Sequence, residues 1–212
     1  MKYKLIILDF DGTLADTFWW FVKNIRAVSD KYGFKKIKDD EVEKLRNFDA
    51  KYMIKYVGFP VLKLPAIAKY MRILMSDEID SIQLFDGISD LLERLHQAGY
   101  ILAVVSTNSE KNVRLVLGTE LNGLITDYEC GVSLFSKEAK LKKISRKCKI
   151  PLSEAIYIAD ELRDIHSARN VELDIGVVSW GYTKPDALKK MQPTYFFNSV
   201  DKIINTFIES YK

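Results

Sequence analysis

Leu5-Ile6-Ile7-Leu8-Asp9-Phe10-Asp11-Gly12-Thr13-Leu14 is the stretch that decides how this chain is read. A run of aliphatic residues stopped by an acid describes a short strand buried on both faces, as in a parallel sheet. In open α/β sheets, ligands bind outside the carboxyl ends of the strands, and Asp9 stands at such an end. Side chains two apart on an extended chain point the same way, so Asp9 and Asp11 can address one site. Carboxylates brought together repel unless a proton or a cation separates them. A hard cation such as Mg²⁺ meets that need with oxygen ligands. Gly12 allows a sharp turn and a close approach of backbone to ligand.

Similar apolar runs recur at Ile101–Val105, Ala155–Ala159 and Asp174–Val178, with a weaker one at Tyr195–Phe197. Between them lie helical stripes. Ile88, Leu91, Leu92 and Leu95 share one helix face, and Val200, Ile203, Ile204, Phe207 and Ile208 share another. Strands alternating with helices predict an α/β fold with a parallel sheet. The alternation breaks after the first strand. From Thr17 to Ser81 the patterns are all helical: Phe18–Tyr32, Asp40–Phe48, Ala50–Val57 and Leu64–Ile79, with turn signals at Gly33 and Gly58-Phe59-Pro60. The expected division is a core made of residues 1–15 and 82–212, with a helical insertion at 16–81.

Composition narrows the class. Hydrophobic residues make up 48% of the 212, ordinary for a globular protein. A formal charge of +3 is a small basic excess. It argues against a dedicated nucleic-acid partner and suits an anionic small substrate. Lys137–Lys149 is rich in lysine and arginine but lacks the interleaved aromatics on which bases stack, so it reads as the solvated face of a helix. Cys130 and Cys148 form neither a disulfide framework nor a metal spacing. No apolar run is long enough to cross a bilayer and no signal peptide is recognised, so a cytoplasmic enzyme without membrane association is expected.

The Asp9-Phe10-Asp11-Gly12-Thr13-Leu14 string resembles the first signature motif of the haloacid dehalogenase superfamily, and the resemblance extends along the chain. It implies a Rossmann-like sheet with helices on both faces and an α-helical cap. The second motif is similar to Leu102-Ala103-Val104-Val105-Ser106-Thr107-Asn108, which makes Ser106, or Thr107 one residue on, the hydroxyl on a phosphate oxygen, with Asn108 beside it. The third motif is a lysine, Lys137 or Lys140 in Leu134-Phe135-Ser136-Lys137-Glu138-Ala139-Lys140; its distance to the fourth motif favours Lys137. The fourth resembles Ile156-Tyr157-Ile158-Ala159-Asp160-Glu161-Leu162-Arg163-Asp164, with Ala159 where glycine is common. Asp160 is then a metal ligand, Asp164 holds the metal's water or the lysine, and Glu161 is either part of the metal shell or an acid at a helix N-terminus.

What the resemblance implies is a Mg²⁺-dependent phosphatase acting on a small phosphorylated metabolite, as a monomer or homodimer. Asp9 is the nucleophile, and the metal is held by Asp9, the Asp11 carbonyl and Asp160. Asp11 is the acid and then the base, and Ser106 and Lys137 steady the phosphoryl oxygens. Two other readings keep the same fold: a phosphosugar mutase and a catalytically silent binding protein. Trp19, in the run Phe18-Trp19-Trp20-Phe21, and Arg46, in Leu45-Arg46, are the candidates for substrate specificity in the cap.

Overall fold

The computed structural model describes residues 2–131 and 137–208. Strands β1 (Leu5–Leu8), β2 (Ile101–Val105), β3 (Ile125–Glu129), β4 (Ala155–Ala159), β5 (Asp174–Val178) and β6 (Tyr195–Phe197) form one sheet in the order β3-β2-β1-β4-β5-β6. All its pairings are parallel. β1 lies between β2 and β4, so the carboxyl ends of these three strands meet at the point where the strand order reverses. Asp9, Ser106 and Asp160 follow these three strand ends.

The two-residue period of each strand sorts its side chains into two cores. Ile6 and Leu8 of β1 face Leu91, Leu92 and Leu95 of α5 (Ile88–Gln97), Val113 and Leu117 of α6 (Glu110–Leu124), and Ile203, Ile204 and Phe207 of α10 (Val200–Phe207). Leu5 and Ile7 face the opposite core, with Leu141 and Ile144 of α7 (Lys137–Lys147), Ile165 and Ala168 of α8 (Leu162–Arg169) and Leu188 of α9 (Pro185–Lys190). A strand covered on both sides must be apolar at every position, which is why Leu5-Ile6-Ile7-Leu8 does not alternate.

Between β1 and α5 come α1 (Phe18–Tyr32), α2 (Asp39–Leu45), α3 (Ala50–Tyr56) and α4 (Leu64–Asp77). Gly33 ends α1 in a left-handed conformation, and the Asp49 carboxylate caps α3 by accepting from Tyr52 N–H. These helices build small cores of their own. One joins Phe18, Val22 and Val42; another joins Ile25, Val28 and Ile67. The chain leaves and re-enters the sheet layer along one line, because Asp16 N–H donates to the Gln83 carbonyl and Phe85 N–H to that of Leu14, both at 2.9 Å.

Two sequence expectations are adjusted. The apolar-run pattern does not mark the edge strand β3, because Ile125-Thr126-Asp127-Tyr128-Glu129 is mostly polar; an edge strand needs less apolar cover. The predicted solvated face of α7 is also more engaged than expected. Lys140, Lys143 and Lys147 converge on the buried Glu129 carboxylate at 2.8, 2.8 and 2.9 Å. The Leu134-Phe135-Ser136 part of the third motif lies outside the described residues.

Burial pushes the Glu129 carboxyl up, but the three ammonium groups outweigh it and hold it down at about 2. A carboxyl lowered in the folded state contributes stability that is fully present above the unfolded value, 4.5, and is lost as the pH falls towards 2. Glu129→Gln is expected to lose about 1–2 kcal/mol at pH 7, since the half-exposed lysines can return to water. Urea unfolding from pH 7 to pH 2 should show the difference closing below pH 4.5.

Candidate active site

Asp9 follows β1 with its N–H bonded to the Ile158 carbonyl at 2.9 Å, so its position is fixed by the neighbouring strand β4. One carboxylate oxygen accepts from Phe10 N–H at 2.8 Å; the other accepts from Lys137 Nζ at 2.5 Å. Lys137 is fully buried at the start of α7. It also donates to Asp164 Oδ1 at 2.5 Å and to the Tyr157 hydroxyl at 2.8 Å. An ammonium has three donors, and all of them are used. Lys140 turns instead to Glu129.

Asp160 is equally buried. Thr13 Oγ donates to one of its oxygens and Tyr182 N–H to the other, both at 2.8 Å. Carboxylate oxygens of Asp9, Asp160 and Asp164 lie within 4.8 Å of one another. This cluster holds three acids against one ammonium, out of reach of water. Burial pushes the Asp160 carboxyl well above its ordinary value, and the charges of Glu161, Asp9 and Asp164 add to it. Burial also lifts Asp9, against the pull of Lys137. Burial alone would lower Lys137, but Asp164 and Asp9 hold it above its usual value. The residual negative charge and the all-oxygen donors fit a hard divalent cation.

Gly12 turns at φ 76°, and a Cβ there would stand 2.3 Å from an Asp160 oxygen. Only glycine lets the loop lie this close to Asp160. Asp11 comes next to the cluster but its carboxylate is directed elsewhere. Thr17 and Asn108 hydrogen-bond it, the latter at 3.2 Å to both oxygens. Burial and then the charge of Asp9 raise the Asp11 carboxyl to about 6.

After β2, Ser106 is buried and its hydroxyl oxygen accepts from Asn108 N–H at 3.0 Å. The Thr107 carbonyl accepts from Arg72 Nε of α4 at 2.9 Å. Asn108 Nδ2 also reaches Met75 Sδ of α4 at 2.9 Å. Ser109 caps α6 through Asn112 N–H. Glu161 caps α8 and pairs with Arg163, and it is not among the clustered carboxylates of the described residues. Trp19 is 60% exposed. Arg46 stacks on Phe18 and gives its Nε and Nη2 to the carbonyls of Tyr182 and Gly181.

The structure therefore brings Asp9, Lys137, Asp160 and Asp164 into direct contact or near contact, with Gly12 and Asp11 beside them. Sequence reasoning assigned no role to Thr13, Tyr157, Arg72 or Tyr182. Tyr157 carried a signal: a phenol in an otherwise aliphatic, doubly covered strand needs a partner for its hydroxyl. Arg72 and Tyr182 carried none, since cationic helix residues and loop tyrosines are common.

A family model described as haloacid dehalogenase-like hydrolase matches residues 6–178. The chain belongs to the haloacid dehalogenase-like hydrolase family. It is 26% identical to a phosphoglycolate phosphatase of Synechococcus elongatus over 202 residues, covering 95% of each protein. It is also 27% identical over 200 residues to the tyrosine-protein kinase PtkA of Mycobacterium tuberculosis, covering 90% of this chain and 67% of that protein. The crystal structure of a predicted phosphatase from Clostridium acetobutylicum superposes with a TM-score of 0.83 over 99% of this chain and 100% of the other, at 21% identity, which supports the fold. Among the described residues no helix is long and apolar enough to cross a membrane.

Within this hydrolase fold, and among the described residues, the Lys137 ammonium is the one positive group in direct contact with both Asp9 and Asp164. Lys137→Met should leave these buried charges uncompensated and cost about 3–5 kcal/mol in stability, as loss of one partner of a buried pair does. Denaturant unfolding of the cation-free protein measures it, and a loss below about 1 kcal/mol, the worth of a surface pair, would contradict the buried network.

Proposed function

We propose that this chain is a Mg²⁺-dependent phosphatase that hydrolyses a small phosphate monoester through an aspartyl-phosphate on Asp9. The observation that carries the reading is the buried Asp9 carboxylate at a central strand end, paired with Lys137 and clustered with Asp160 and Asp164. The kinship with a phosphoglycolate phosphatase supports it. A phosphorylated small acid is the substrate class that kinship favours.

Asp9 attacks phosphorus as the ester P–O bond breaks, and Asp11 gives its proton to the departing alkoxide. Asp11 then takes a proton from water as water displaces Asp9 and free phosphate leaves. A carboxyl raised to about 6 suits both directions of transfer near neutral pH. The charge of Lys137 and the hydroxyl of Ser106 or Thr107 steady the phosphoryl oxygens. Asp9, the Asp11 carbonyl and Asp160 would hold Mg²⁺, whose chemistry here is to neutralise the phosphoryl charge facing a negative nucleophile. Asp164 keeps Lys137 in line with Asp9. On the same reading residues 16–81 are a cap that shields the site from water and opens for release; 1–15 and 82–212 are the catalytic core.

Asp9→Asn should abolish phosphate release, because the amide cannot serve as nucleophile. Asp11→Asn should lose about 10²–10⁴ in rate on alkyl phosphates, the usual worth of general acid–base catalysis, and less on aryl phosphates, whose leaving groups need no proton. Phosphate-release assays on both substrate types decide, and equal losses would remove Asp11 as the acid. Asp160→Ala should raise the magnesium concentration needed for half-maximal rate; an unchanged titration would place the cation elsewhere.

A further inference from the structure

The segment after β5, Ser179 to Lys184, touches the carboxylate cluster on one side and the inserted helices on the other. On the cluster side, Tyr182 N–H donates to Asp160 Oδ2 at 2.8 Å. Gly181 lies so close that a Cβ there would stand 2.3 Å from Asp160 Cβ and 2.4 Å from the Gly12 carbonyl oxygen. On the other side, Arg46, at the end of α2, donates from Nη2 to the Gly181 carbonyl at 2.7 Å and from Nε to the Tyr182 carbonyl at 3.0 Å. The same two residues are therefore clamped between a guanidinium of the insertion and an acid of the core. Lys184 N–H returns a bond to the Arg46 carbonyl at 2.9 Å. The Tyr182 ring packs edge-on against Phe18 of α1, and its hydroxyl meets Thr17 Oγ at 2.9 Å.

A planar guanidinium donating through two nitrogens fixes both the position and the plane of what it grips. Here it grips consecutive carbonyls, and the peptide between them carries the N–H that orients Asp160. Partners that orient a metal-binding carboxylate set its affinity as well as its direction.

We propose that Arg46 is a positioning residue for Asp160: by holding the Gly181 and Tyr182 carbonyls it aims the Tyr182 N–H at the carboxylate, so that docking of the inserted helices and affinity for a divalent cation are linked. The proposal rests on the reading of Asp160 as a cation ligand. It gives Arg46 a role other than contact with substrate, because its Nε and Nη2 are engaged with the core. Linkage makes the effect reciprocal, so a cation bound at Asp160 favours the docked insertion by the same factor that docking favours the cation.

The test is calorimetric titration of Mg²⁺ into the full chain without substrate. The samples are the wild type, Arg46→Ala, Arg46→Lys, Lys184→Ala and Asp160→Asn. Arg46→Ala should raise the Mg²⁺ Kd by about tenfold, the lower end of what loss of an orienting partner costs. Arg46→Lys should fall between, since an ammonium is a point charge and cannot fork across two carbonyls; it tests the coupling by itself if the alanine variant fails to fold. Lys184→Ala removes a surface ion pair between core and insertion and should leave the Kd within about twofold, as such pairs are worth little. If Arg46→Ala and Arg46→Lys bind Mg²⁺ as the wild type does while Asp160→Asn loses binding, the coupling is wrong and the cation site stands. If Asp160→Asn also binds normally, the cation site is misplaced and the coupling falls with it.

Discussion

The structure turns on a single buried ammonium. Lys137 satisfies Asp9, Asp164 and Tyr157 at once, and these residues come from four separate places in the chain: the end of β1, the middle of β4, the first turn of α7 and the first turn of α8. A charge taken out of water must be paired or it is expelled. Pairing it here requires the strands to lie in their observed order and the helices to start at their observed residues. The apolar packing of the two cores supplies the bulk of the driving force, and the ammonium joins the polar side chains that this packing brings together.

Around that pair the site is short of positive charge. Three acids share the space with one lysine; burial raises the carboxyl groups of Asp9 and Asp160, and the neighbouring acids add to it. Burying these acids together is an energetic cost to the cation-free protein, and their all-oxygen donors are of the kind that suits a hard cation. Two glycines, Gly12 and Gly181, let the loops close on Asp160 from both sides. A side chain at either position would overlap Asp160, its Cβ standing 2.3 Å from an Asp160 atom.

Among the described residues, side chains of the inserted helices hydrogen-bond to two loops of the core. Arg46 grips the loop after β5, while Arg72 and Met75 meet the loop after β2 and Asn112 near Asn108. Each contact ends within one residue of a group in the site: Asp160 in the first case, Asp11 through Asn108 in the second. Hydrogen bonds therefore connect the insertion to Asp160 and Asp11 without passing through the sheet.

The sequence by itself determined the α/β class, the strand ends that carry Asp9, Ser106 and Asp160, and the helical insertion. These are local properties: unbroken aliphatic runs for doubly covered strands, amphipathic stripes for helices, and acids placed where such runs stop. The family resemblance also narrowed the lysine to Lys137 or Lys140, with the distance to the fourth motif favouring Lys137. Tertiary structure alone decided the rest. Strand order placed β4 beside β1 and so brought Asp160 and Asp164 to Asp9. The starting point of α7 turned Lys137 inward and left Lys140 to Glu129. The loop after β5 folded back so that Tyr182 N–H met Asp160 and Arg46 met the backbone behind it. Backbone donors and acceptors are the same at every residue, so no pattern of side chains marks which of them a fold will bring together.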